Sequence, residues 1–233
     1  MNRLIHPIEQ ESFAILRGRL AARYPDAASR PPLARAVLER VVHASADLEY
    51  AEDLVLPEES VLAAAVAALQ EGVPVVADVA MVAAGITRRD SLCRITDPRA
   101  AELAKEAAIT RSAAALRLAA EAAGPGAVYV IGCAPTALFE LIEHADTYRP
   151  LLVLGLPVGF VGAVESKQAL RESGLPAVSN MSGKGGSAVA AAALNALLYW
   201  ECGEDTVDDE GVVPLDAVRG GRTLLPSASE VDA

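Results

Sequence analysis

Four short apolar runs between residues 74 and 180 limit the architecture of this chain more than any other feature. They are PVVADVA (74–80), GPGAVYVIG (124–132), PLLVLGLP (150–157) and PAVSN (176–180). Helical periodicity intervenes between successive runs, in PRAAELAKEAA, TRSAAALRLAAEAA, APTALFELIEHA, VESKQALRES and finally GGSAVAAAALNALLYW. SLCRITD reads as a further strand. Short buried strands alternating with helices predict an α/β fold: a mostly parallel sheet with helices on both faces, joined by right-handed crossovers. Ligands of such sheets bind beyond the carboxyl ends of the strands, near the switch point. The loops to read are therefore ADVAMVAAG, GCAPTA, GLPVGF and SNMSGKGGS.

Three helices precede the sheet. Residues 7–23 open on Pro7, with Ile8, Ser12, Ile15 and Leu16 near one face. PDAASRPP is a loop. Leu33–His43 carries an apolar stripe of Ala34, Val37, Leu38 and Val41, and His43 lies off it, beside Glu39 and Arg40. Residues 58–71 form the third helix. The reading gives one domain over residues 1–202 and an acidic tail over 203–233. Of the net charge of −11, that tail holds eight acids against two arginines, −6, leaving −5 for the rest. This balance disfavours nucleic acid and anionic membranes as partners. The longest apolar run, 151–164, is too short to span a bilayer. No apolar stretch follows Arg3 as a signal peptide requires, and three cysteines without metal spacing suit a reducing cytoplasm.

Several loops offer chemistry. SGKGGS (182–187) combines glycines, Lys184 and a following helix, either an anion cradle or a plain turn. It lacks the P-loop spacing. GLPVGFVG is not the dinucleotide fingerprint and reads as a packed turn lining a cleft, which sets a nucleotide-binding domain last among the alternatives. Arg111 sits in the first turn of a helix capped by Thr110. A cation there opposes the helix dipole, which fits either a carboxylate ligand or a surface ion pair. His6, His43 and His144 have no metal-ligand spacing. His43 is either a proton donor or a structural histidine at a helix end.

Taken together, HPIEQESFAIL, VVHASAD, ADVAMVAAGIT, ITRSAAAL, GCAPTALFELIE, GLPVGFVGAVESK and GKGGSAVAAAALNAL, in this order over residues 6–198, resemble the precorrin-8X methylmutase family. The resemblance implies a flavodoxin-like, doubly wound fold, a homodimer and a tetrapyrrole substrate. The implied reaction moves a methyl group from C11 to C12 of precorrin-8X or cobalt-precorrin-8 by an acid-catalysed [1,5]-sigmatropic shift. It gives hydrogenobyrinate or cob(II)yrinate. No cofactor is implied, since any cobalt is carried by the substrate. The family's catalytic histidine falls on His43, and its substrate contacts on Ser12, Thr87, Arg111 and Lys184. Met81, Val158 and Phe160 are expected to line an apolar cleft. Two departures stand out: Cys133, where the family commonly has Asn, and Gly183, where an arginine often precedes the lysine. ADLEYAEDL looks closer to the cobalt branch. A non-catalytic corrinoid carrier is the competing expectation.

Overall fold

The computed structural model describes residues 7–200. The acidic tail, His6 and Cys202 lie outside them. Four helices come first: α1 (Pro7–Arg23), α2 (Pro25–Ala28), α3 (Pro32–Ser45) and α4 (Tyr50–Asp53). Then follow β1 (Leu54–Val55), α5 (Glu59–Gln70), β2 (Val75–Ala77), α6 (Ala80–Gly85), α7 (Pro98–Glu106) and α8 (Arg111–Ala123). The remainder is β3 (Val128–Ile131), α9 (Pro135–Glu143), α10 (Ala145–Tyr148), β4 (Leu152–Gly155), α11 (Ala163–Glu172), β5 (Ala177–Asn180) and α12 (Ser187–Trp200).

The sheet order is β1-β5-β4-β3-β2, with β2 to β5 parallel and β1 antiparallel to β5. SLCRITD contributes a single parallel bridge, Leu92 to Val76, rather than a strand. The Ala77 N–H donates to the Leu92 carbonyl at 3.0 Å, but a turn from Arg94 to Asp97 ends the pairing at once. Even so, Leu92 flanks β2 on the side away from β3. Chain order therefore reverses at β2, which makes the α/β sheet doubly wound with its switch point between β2 and β3.

Successive side chains of a strand face opposite ways, and both faces are covered. Val75, Ala77, Val128, Val130, Leu152 and Leu154 meet α1, α3, α5, α6 and α12. Val76, Tyr129, Ile131 and Val153 meet α8, α9, α10 and α11. At the switch point the buried Asp78 carboxylate accepts the N–H groups of Gly132 (3.2 Å), Cys133 (2.8 Å) and Ala134 (2.9 Å). Burial nonetheless pushes its pKa up, against those bonds. Cys133 thus uses its backbone here, while its side chain stays exposed.

Three local expectations change. In α1 the buried stripe is Phe13, Leu16 and Leu20, whereas Ile8 and Ile15 are exposed. The spacing of three and four residues turns Phe13 toward α3 and carries Ile8 off the contact. ADVAMVAAG is not all loop, since Ala80–Gly85 forms one and a half helical turns. PDAASRPP likewise holds the one-turn helix α2.

Candidate active site

Consecutive prolines, Pro31 and Pro32, start α3, and Val37, Leu38 and Val41 are fully buried on its inner side. The helix ends where Ala46 takes a left-handed conformation, φ 54°. His43 therefore stands in the last turn, on the exposed side.

Its ring is held from two directions by α1. Phe13 stacks on it, ring centroids 4.7 Å apart and planes 8° from parallel. Ser12 Oγ lies 3.0 Å from Nδ1. Arg40, one turn earlier on α3, lies over the other aromatic neighbours, 5.2 Å from the Phe13 centroid and 4.8 Å from that of Tyr199. Its guanidinium also bonds Glu9 Oε1 at 3.1 Å. Tyr199 of α12 meets Thr87 Oγ1 at 2.8 Å, and Asn195 fixes the same segment. The Thr87 N–H donates to Asn195 Oδ1 at 3.2 Å, and Asn195 Nδ2 donates to the Gly85 carbonyl at 2.8 Å.

Beside these groups lies an open cavity of about 320 Å³. Arg40, His43, Thr87, Asn195 and Tyr199 give it a polar rim, and Ala188, Ala191 and Ala192 give it a smooth apolar floor. Gly85 is required beside that floor, since a Cβ there would sit 2.7 Å from Ala191 Cβ. The chemistry of the site is a histidine and an arginine around an apolar surface: one proton and one fixed cation for an anionic, largely apolar molecule.

Partial burial moves the His43 pKa below its ordinary value; Glu9 opposes this and Arg40 adds to it. The ring thus favours the neutral imidazole. When the ring is doubly protonated, Nδ1–H donates to Ser12 and Nε2–H remains for delivery. An anion bound beside the ring raises the pKa again. An NMR titration of the His43 ring is therefore expected to give a midpoint below 6.5 in free protein, and a higher one with a bound polycarboxylate. A midpoint in free protein at or above 6.5 would contradict this. Ser12→Ala removes the orienting bond and leaves the stack, so turnover should fall by about tenfold with KM little changed.

The predicted residues divide. Thr87 joins His43 in the cavity wall, and Ser12 meets the His43 ring from behind it. Arg111 opens α8 on the opposite face of the sheet and is exposed, with Thr110 capping the helix through the Ala113 N–H at 3.2 Å. Lys184 is also absent from the cavity wall. Its Nζ binds Asp47 Oδ2 at 2.7 Å and the Glu49 carboxylate, which hold its pKa well above the usual lysine range. Met81, Val158 and Phe160 are exposed and do not border the cavity.

The glycine loop is a packed turn rather than an open anion cradle. The Ser182 N–H is taken by Asp53, that of Lys184 by Ser182 Oγ, and that of Gly186 by the Leu156 carbonyl. Arg40, Asn195 and Tyr199 are the site residues that sequence reading left out. The last two had a signal, as polar groups in the otherwise apolar ALNALLYW. Among the described residues, Glu140, Glu143 and His144 bring three possible ligand atoms within 4.8 Å. Arg117 engages both Glu140 oxygens there, at 2.8 and 3.0 Å.

Comparison with known proteins gives a consistent result. The family model described as CbiC: Precorrin-8X methylmutase matches residues 7–200. The cobalt-precorrin-8 methylmutase of Salmonella typhimurium is 40% identical over 199 residues, 82% of this chain and 93% of that protein. The precorrin-8X methylmutase of Pseudomonas aeruginosa is 40% identical over 200 residues, 82% of this chain and 93% of that protein. A crystal structure of the precorrin-8X methylmutase of Thermus thermophilus superimposes with a TM-score of 0.70 at 32% identity. It covers 85% of this chain and 98% of that one.

Proposed function

The chain belongs to the precorrin-8X methylmutase family, isomerases of cobalamin biosynthesis, and from that premise we propose that it moves a methyl group from C11 to C12 of the macrocycle. The substrate is precorrin-8X or cobalt-precorrin-8, and the product hydrogenobyrinate or cob(II)yrinate. The C11–CH₃ bond breaks as the C12–CH₃ bond forms, so the composition does not change. His43 lends a proton to the conjugated system near ring C and recovers it after migration. Nothing is oxidised, so the step takes no redox cofactor, and any cobalt arrives with the substrate.

One observation carries this reading. A histidine fixed by a stacked ring and a hydroxyl borders an apolar-floored cavity that also holds Arg40. In this reading one edge of the macrocycle enters the cavity, and Arg40 meets a peripheral carboxylate while also paired with Glu9. Arg111 and Lys184 remain candidates for carboxylates outside the cavity, Lys184 only by releasing Asp47 and Glu49. The reading includes a homodimer. Among the described residues no helix is long and apolar enough to cross a membrane.

Identity does not separate the two branches, since relatives named for the cobalt and the cobalt-free substrate both stand at 40%. The test is therefore incubation with both substrate forms side by side, followed by absorption. Conversion of one form beyond one product per site supports the proposal. Unchanged spectra for both contradict it, and unchanged spectra with the corrinoid retained favour the non-catalytic carrier.

A further inference from the structure

Lys167 is fully buried in α11, in the VESK stretch, and no step above uses it. Its ammonium donates to Asn180 Oδ1 at 2.9 Å, to the Lys184 carbonyl at 2.7 Å and to the Ser182 carbonyl. Three N–H groups meet three acceptors. Burying a charge is costly unless such partners are complete. The counter-charge is Asp53. Its carboxylate receives Asn180 Nδ2 at 2.8 Å, Ser182 Oγ at 2.7 Å and the backbone N–H groups of Met181 and Ser182 at 3.0 and 2.7 Å. Asn180 also donates to the Lys184 carbonyl at 3.0 Å. This buried network clamps the loop 181–186 from beneath.

The loop does not line the cavity but is tied to the chain on both sides of it. Outward, Lys184 grips Asp47 and Glu49 in the turn that directly follows His43. Onward, the chain enters α12, whose alanines form the floor. We propose that Lys167 is a positioning residue of the active site: by fixing the 181–186 loop it sets, through Lys184, where the turn after His43 stands against α12. An apolar residue of similar volume would fill the space, take the donor from Asn180 Oδ1, and leave the Ser182 and Lys184 carbonyls to share Asn180 Nδ2 alone. Burial also lowers the Lys167 pKa to about 8, with Asp53 opposing and Arg171 adding to the shift. A neutral amine has two N–H groups for three acceptors.

Only the kinetic arm of the test rests on the methylmutase reading. Full-length Lys167→Met and Lys184→Met are compared with wild type by amide hydrogen exchange and steady-state kinetics. In Lys167→Met, exchange should quicken about tenfold in 181–186 and also in 43–49, with α8 and α9 unchanged. In Lys184→Met only 43–49 should quicken. Turnover of Lys167→Met should fall by about ten- to a hundredfold with KM changed less than threefold, as a misplaced acid predicts. Undisturbed exchange at 43–49 in folded Lys167→Met overturns the proposal, as does unaltered turnover. If that variant does not fold, undisturbed 43–49 in Lys184→Met overturns it equally. A wild type without turnover sinks the methylmutase reading instead, and the exchange result then decides the positioning claim alone.

Discussion

His43→Ala should fold, retain the corrinoid and lose about two to four orders of magnitude in turnover, the usual contribution of a positioned general acid. The fold should survive because His43 lies on the exposed side of α3, away from the stripe of Val37, Leu38 and Val41. Binding should survive because Arg40, Thr87 and the alanine floor are untouched. What disappears is the proton held opposite Ser12. A His43→Gln variant separates shape from acidity, because an amide can hydrogen bond but cannot deliver a proton at neutral pH. It should be as slow as alanine. Full turnover by either variant would remove His43 from the mechanism. The wild-type pH profile should agree: kcat/KM falls as pH rises through the depressed pKa of the free enzyme, because protonated His43 is the active form.

Gly185→Ala should be among the most destabilising single substitutions in the molecule. Gly185 has φ +147°, and a Cβ there would lie 2.2 Å from the Leu156 carbonyl oxygen and 2.9 Å from that of Pro157. Both atoms are backbone, so no side chain can swing away. Gly174→Ala is the control. Its φ is +74°, yet nothing lies within 4 Å of the added Cβ. That control isolates the conformational cost, about 1–2 kcal/mol. Gly185→Ala adds the collision and should cost at least about 3 kcal/mol, which lowers Tm by roughly 6–12 °C in a chain of this size. Melting within about 2 °C of Gly174→Ala would show that the loop can yield, and the clamp by Asp53 and Lys167 would then be weaker than its geometry implies.

The strands and most helices could be read because their signals are local. Val128–Ile131 and Leu152–Gly155 are continuous apolar runs bounded by turns, as strands buried on both faces should be. β1 has two residues and no period of its own. It exists because Leu54 and Val55 pair with Asn180 and Ser179, far along the chain. The Leu92 bridge fails as a strand for a matching reason, since the Arg94–Asp97 turn stops it.

The site was legible in part. His43 could be set off the apolar stripe by periodicity alone, and the family resemblance joined Ser12 and Thr87 to it. The acidic run behind His43 had no visible role in one dimension. In three, Asp47 and Glu49 hold Lys184 from the loop 135–137 residues further on, while Asp53 holds Met181 and Ser182. A spacing argument cannot see such partners, and the same blindness made Lys184 look like a free cation.

The central claim is that this chain moves a methyl group rather than merely holding a corrinoid. Substrate carrying ¹³C in the C11 methyl group, metal-free and cobalt-loaded in parallel, tests it directly by NMR after several equivalents have been offered per site. In one or both forms the label should move from C11 to C12, in an amount exceeding the sites present, and His43→Ala should leave it at C11. Label that stays at C11 in the presence of folded wild-type protein, for both substrates, would contradict it.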